Sequence, residues 1–263
     1  MIIAAGPFPS GGGLWAPPPD PRVGFAPLLD PDAGGERSTG SPLEGVRADR
    51  EADLFWHAPA TGVHEPLEGA LTLSQTLQQW RERIRERSSA AWVHVASTRA
   101  MLPAAELFAL PFVPAGIARE RERFGAYAVR TMGGNLLGDL IQEEVRKRER
   151  IVAIDAEGVL ICPFASRAPY QLLLAPRTPR ARFEDDGPVC AALLEDALAR
   201  LARCIGPDVP VQLWVRTAPR DAEHFAWRID IMPAGLAPGL LEAGAGIPGN
   251  PLAPEAAAAQ LRG

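Results

Sequence analysis

The chain has 263 residues, a net charge of −5, and 22% charged against 47% hydrophobic side chains. Those values describe a soluble globular protein with material for one large domain or two small fused ones. They argue against a general nucleic-acid surface, which needs a basic excess, and no apolar run approaches the roughly 20 residues of a membrane span.

Of the 27 basic residues only Lys147 is lysine, a skew that points to a GC-rich bacterial genome and makes the Ala, Arg, Pro and Gly counts poor guides to function. Cys162, Cys190 and Cys204 are odd in number and show no CxxC spacing, so they read as reduced, buried thiols of a cytoplasmic protein. The opening "MIIAAGPFPSGGG" has no basic stretch and breaks into Gly and Pro, which reads against a secretory leader.

Residues 1–50 are rich in Pro and Gly with little periodicity, and read as an extended arm with packed anchors such as Trp15 and Phe25. "DLFWH" (53–57) reads as a strand. Residues 71–89 are a helix: Ser74 is the expected N-cap, and Leu77, Trp80 and Ile84 form the apolar stripe. "AWVHVAST" (91–98) alternates as a strand does, with His94 in a structural role, and "FALPFVP" is a second strand ended by proline. Residues 116–131 read as helical in their first part, and a second helix follows over 135–149.

The second half repeats the plan. Residues 150–166 form a hairpin turning near Glu157-Gly158, and 170–177 form a third strand. A long helix over 187–206 ends at Gly206; strands 211–219 and 224–233 and a closing helix 254–263 complete the chain. Hairpin-like connections favour an antiparallel sheet with helices on its faces, an α+β fold whose halves are a diverged duplication: arm 1–50, first module 51–149, second module 150–263. The tryptophans Trp80, Trp92, Trp214 and Trp227 read as core. The runs "RERIRER" and "ARERERF" read as solvated helix faces laced with local ion pairs.

Several phrases carry a family resemblance. "PGLLEAGAGIPGNPLAPEAAAAQLRG" (238–263), "RIVAIDAEGVLICPFASRAPYQLLLAPR" (150–177), "RTAP" (216–219), "HFAWRIDIMP" (224–233) and "LPAAELFALPFVP" (102–114) occur in the order of corresponding segments of galactose-1-phosphate uridylyltransferases. From about residue 50 onward the chain resembles that two-module family of the histidine-triad superfamily. The resemblance implies a histidine nucleophile that takes a uridylyl group from a UDP-sugar and passes it to a hexose 1-phosphate.

Here that chemistry cannot be written. The frame puts Ala104 at the nucleophile's position, Leu102 at the preceding histidine's and Glu106 at that of a phosphate-binding glutamine, where a carboxylate would repel phosphate. Zinc-binding positions fall on Asn135 and Gly138. A second metal's positions fall on Glu144, Arg216, Ala226, Arg228 and Asp230, with His224 retained, so neither a metal nor another cofactor is expected. Instead, Arg216 and Arg228 are expected to form a salt-bridge cluster with Glu144 and Asp230 in the old metal pocket. The hexose-contacting Glu and Asn of the family match Glu242 and Asn250, which join Glu106, Arg216 and Arg228 as candidate ligand contacts.

Three functional classes stay open. The leading expectation is a pseudoenzyme of this fold with a binding or interaction role. Next is an enzyme acting on a nucleotide sugar or sugar phosphate without a covalent intermediate. The third is a structural protein whose cleft is filled by Leu102, Met101 or the arm. The expected partners are a nucleotide or sugar-phosphate ligand and a second copy of the chain, with neither nucleic acid nor membrane.

Overall fold

The computed structural model describes residues 47–49, 57–59, 62–98, 102–233, 242 and 245–263. The arm over 1–50, with Trp15 and Phe25, lies outside them except for 47–49; residues 53–56 of the first predicted strand and Met101 also lie outside. Strands β1 (Arg47–Asp49) and β2 (His57–Pro59) pair antiparallel as a separate ribbon.

The body is one antiparallel sheet of eight strands: β3 (Val63–Leu67), β4 (Trp92–Thr98), β5 (Ala105–Leu110), β6 (Ile151–Ile154), β7 (Gly158–Ile161), β8 (Leu172–Pro176), β9 (Val211–Arg216) and β10 (Arg228–Pro233). Their spatial order is β3-β5-β4-β9-β10-β8-β7-β6. The seam between the two halves of the sequence is β4 against β9, with Val95 opposite Val215 and Thr98 opposite Gln212.

Among the described residues five helices cover the sheet: α1 (Leu73–Glu86), α2 (Ala115–Arg130), α3 (Leu136–Lys147), α4 (Ala191–Ile205) and α5 (Pro254–Arg262). The period-two alternation of the strands decides the layers. One face, with Val95, Leu107, Leu174, Val215 and Ile229, packs under α1, α4 and α5 in the main core. The other face meets α2 and α3 through Ile117, Phe124, Leu137 and Ile141.

Local chemistry sets the element ends. Helix α1 starts at Thr72, not Ser74: the Thr72 hydroxyl accepts the Gln75 N–H, and the Gln75 side chain returns the bond to the Thr72 N–H. The β6–β7 turn is closed by Asp155, whose Oδ1 accepts the N–H groups of Glu157 and Gly158 at 2.8 and 2.7 Å. Strand β10 begins at Arg228; the predicted stretch from 224 instead packs Phe225, Ala226 and Trp227 into the cores while His224 stays exposed.

Two further expectations are corrected. Cys162 and Cys190 are buried, and burial pushes both thiols up to about 12, but Cys204 is exposed. The run "RERIRER" is not wholly solvated, because Arg81 is 0% exposed. Its guanidinium lies 4.1 Å from the Phe183 ring centre and donates Nε–H to the Phe183 carbonyl at 3.1 Å. Burial pulls its pKa down to about 10, the nearby Asp186 opposing.

Candidate functional site

Alternation brings a polar strip onto the α2–α3 face of the sheet. Across it, Pro66, Glu106, Ala96, Trp214 and Asp230 lie side by side on neighbouring strands. The next row is His64, Phe108 and His94, and beyond them Arg216 opposite Arg228. Ala104 precedes β5 and is two residues from Glu106, which puts it at one end of this strip, half-buried, with its carbonyl accepting the Ser97 hydroxyl at 2.6 Å.

The strip's charges are paired. Asp230, 5% exposed, accepts Arg228 Nε at 3.1 Å on Oδ1 and Arg216 Nε at 3.2 Å on Oδ2, and Trp214 Nε1 also donates to Oδ2 at 3.1 Å. Glu120 of α2 closes the cluster on Arg228 Nη1 and lies 3.7 Å from Arg216 Nη1. Burial opposes the charge on Arg228, but the Asp230 and Glu120 carboxylates outweigh it and raise its pKa above the usual guanidinium value.

At the strip's centre, His94 stacks on Trp92 with ring centres 5.1 Å apart, and its Nδ1 is buried without a hydrogen-bond partner. Burial, and then the Arg216 charge, push its pKa down to about 4. Since an unfolded histidine titrates near 6.5, the unfolded chain binds the extra proton between those values. Stability from His94 is therefore present above about pH 6.5 and lost as pH falls toward 4. We expect about 2 kcal/mol less stability at pH 5 than at pH 7 from this group. Urea denaturation at both pH values should show that difference shrinking in His94→Gln.

No family model matches the chain. Against curated proteins it is similar to the galactose-1-phosphate uridylyltransferase of Haemophilus influenzae, 22% identical over 224 residues, covering 80% of this chain and 64% of that protein. The Cryptococcus neoformans enzyme of that name is 31% identical over 101 residues, covering 35% of this chain and 26% of its own length. The chain thus spans less than two thirds of either relative. Among solved structures, a galactose-1-phosphate uridylyltransferase-like protein from Arabidopsis thaliana superposes with a TM-score of 0.67 at 20% identity, over 82% of this chain and 80% of the other. An ADP-glucose phosphorylase from the same plant, solved with bound ADP-glucose, gives 0.65 at 20% identity over 76% and 73%.

The chain has the fold of the galactose-1-phosphate uridylyltransferase-like structures.

On that fold the expected site residues separate into groups. Ala104 and Glu106 share the strip, and Glu106 Oε2 is hydrogen-bonded to His64 Nε2 of β3, a partner the sequence reading missed. Leu102 turns to the opposite face and packs against the main core, so it does not plug the Ala104 end. Arg216, Arg228 and Asp230 come together, but Glu144 is not with them. Chain reversal after α3, through Arg148 at φ 58°, returns Arg150 onto Glu144, which accepts its Nε at 2.9 Å and its Nη2 at 2.6 Å. Arg150 Nη1 also reaches Glu255 of α5 at 2.5 Å. The fourth member of the cluster is Glu120, from the run "ARERERF" read as solvated.

The positions at which the resemblance would place metal ligands do not fit a cation. Asn135 caps α3 by accepting the Gly138 N–H at 3.0 Å and donates to the Phe225 carbonyl at 3.1 Å. A Cβ on Gly138 would stand 2.7 Å from Pro179 Cγ, leaving no room for a thiolate. The Arg216 and Arg228 guanidiniums would repel a metal ion. Among the described residues no group of three or more His, Cys, Asp or Glu is placed to hold one.

Asn250 and Glu242 are tied to the loop after β7. The Asn250 amide donates to the Ser166 and Ala168 carbonyls at 3.3 Å each, and Glu242 accepts Arg167 Nη2 at 2.7 Å. A cavity of about 790 Å³ opens at the other end of the strands from Ala104, where Trp92 begins β4 and Thr217 follows β9; Arg87, Arg182 and Arg220 border it. Among the described residues no helix is long and apolar enough to cross a membrane.

One spacing signal would have found the hidden charged residues. Arg81 stands four after Leu77, Glu120 three after Ile117, and Glu144 three after Ile141, each on the apolar stripe of its helix.

Proposed function

We propose that the protein binds a nucleotide sugar on the Ala104 end of the sheet and has no covalent uridylyl-histidine step. Ala104 carries the reading: in the frame of the nucleophile stands a methyl group, which cannot attack phosphorus. The fold likeness supports the ligand class, as does the ADP-glucose held by one structural neighbour. The Arg216–Arg228–Asp230–Glu120 cluster supplies fixed side-chain cations where the resemblance would place a metal. The candidate ligand contacts are engaged within the protein: Arg216 and Arg228 by Asp230 and Glu120, Glu106 by His64, Glu242 by Arg167, and Asn250 by loop carbonyls.

In this reading residues 51–149 and 150–263 are the two modules, the reduced thiols support a cytoplasmic location, and the protein works as a homodimer, as the resemblance implies. A role as a binding protein follows from the missing nucleophile. The alternative, non-covalent chemistry on the same ligand, is favoured by one observation, the His64–Glu106 pair.

Calorimetric titration with UDP-glucose, ADP-glucose, UDP and UMP tests the reading. Micromolar binding of at least one is expected, with no radiolabelled uridylyl group retained on the protein after denaturation. Retained label, or no heat with any of the four from folded protein, would overturn it. Ala104→His alone is expected to gain no stable adduct, because Leu102 and Glu106 also differ from the family frame.

A further inference from the structure

We propose that His64 and Glu106 form a water-activating dyad that cleaves the nucleotide sugar of the proposed site; the inference rests on that ligand reading.

The pairing is chemically selective. Glu65, beside His64 in sequence, is paired with Arg83 and Arg87, and Asp230 and Glu120 are paired with Arg216 and Arg228. Glu106 has an imidazole instead. Guanidiniums neutralise a carboxylate and stay protonated; an imidazole can take and give up a proton.

The geometry fixes the ring. His64 stands opposite Phe108 on β5, and the two rings stack with centres 4.8 Å apart and planes 25° apart. Glu106, next along the same face, holds Nε2. In the neutral ring Nε2–H donates to the carboxylate, and Nδ1 keeps its lone pair. No hydrogen bond to Nδ1 is formed among the described residues, and the side chain is 16% exposed. An imidazole oriented by a carboxylate, with its other nitrogen free, is the arrangement of a general base.

The same pairing removes the repulsion between carboxylate and phosphate once the proton has moved. As Nδ1 takes a proton, the imidazolium and the Glu106 carboxylate become a neutral pair.

The step balances with water as the second reactant. Water oxygen bonds to the α-phosphorus, and the bond from that phosphorus to the bridging oxygen breaks. The sugar 1-phosphate leaves with the electron pair on that oxygen, and the proton of the water passes to His64 Nδ1 and then to solvent. The products are a nucleoside monophosphate and a sugar 1-phosphate. His64 is the base; Glu106 acts through it as a positioning residue.

The test is ³¹P NMR of UDP-glucose and ADP-glucose incubated with the protein in H₂¹⁸O, beside calorimetric binding of each. The expected result is ¹⁸O on the nucleoside monophosphate. His64→Ala should lower kcat by about 10²–10⁴-fold, with partial recovery on adding imidazole, and His64→Gln serves if the alanine variant does not fold. Glu106→Gln should lower kcat while binding stays within a few fold, a split that a merely structural role would not give. Wild-type protein that binds either sugar nucleotide yet releases no labelled monophosphate overturns the dyad and leaves the binding site standing. So does a folded His64 variant as active as wild type. Protein that binds neither overturns the ligand reading and the dyad together.

Discussion

Replacing Asp230 by alanine is expected to cost about 3–5 kcal/mol of stability, because it removes the common acceptor of two guanidiniums and an indole. Arg228 Nε, Arg216 Nε and Trp214 Nε1 all donate to this carboxylate, which is 5% exposed. Glu120 remains, but a single carboxylate then faces two partly buried cations. The loss comes from uncompensated charge more than from missing attraction. Two comparisons separate those contributions. Asp230→Asn keeps an acceptor oxygen and should lose less than Asp230→Ala. A fourfold variant with Leu or Met at 120, 216, 228 and 230 removes every charge at once and should lie near wild-type stability. Urea midpoints of the three variants, at constant m-value, give the answer. If Asp230→Ala proves neutral, the cluster is not a balanced charge group and cannot stand in for a bound cation.

The second large effect is expected at Arg150. Arg150→Met should cost about 3–5 kcal/mol, since Glu144, 7% exposed, would lose a partner that meets it through both Nε and Nη2. The hydrogen bonds to Glu144, and then to Glu255, raise the Arg150 pKa, while Arg150 lowers that of Glu255. The bridge ties α3 to the first turn of α5, so the variant should also loosen the C-terminal helix. Hydrogen exchange over residues 254–262 should accelerate in Arg150→Met more than over α1. Glu144→Gln, which keeps the shape and removes the charge, should recover part of the loss in an Arg150→Met background. A stability change under 1 kcal/mol would show that Glu144 finds water instead.

These two sites also show what the chain discloses on its own. Strands and helices were legible because alternation and the 3.6-residue stripe are local: Leu77, Trp80 and Ile84 mark α1, and Leu137 and Ile141 mark α3. The expected cluster was legible in Arg216, Arg228 and Asp230 because antiparallel partners and i, i+2 neighbours share a face. Glu144 was misplaced because its partner is set by a left-handed residue at Arg148, which one sequence does not announce. Glu120 and Arg81 were hidden inside charge runs, where composition masks position. Their partners lie 108 and 102 residues away, Arg228 and Phe183, and only tertiary packing brings them together. His64 drew no notice because an isolated imidazole on a short edge strand acquires meaning only through Glu106, 42 residues later.

The β4–β9 seam has a consequence for how the molecule comes apart. Strand pairing there is reinforced by Trp92 Nε1 donating to the Thr217 carbonyl, by Arg220 reaching back to Ala91 and Ser89, and by Arg81 of α1 seated on Phe183. Neither half closes its own edge: separated, β4 and β9 would each present a row of bare amides and carbonyls to solvent. Melting is therefore expected to be concerted, with the two halves sharing one transition instead of unfolding in turn.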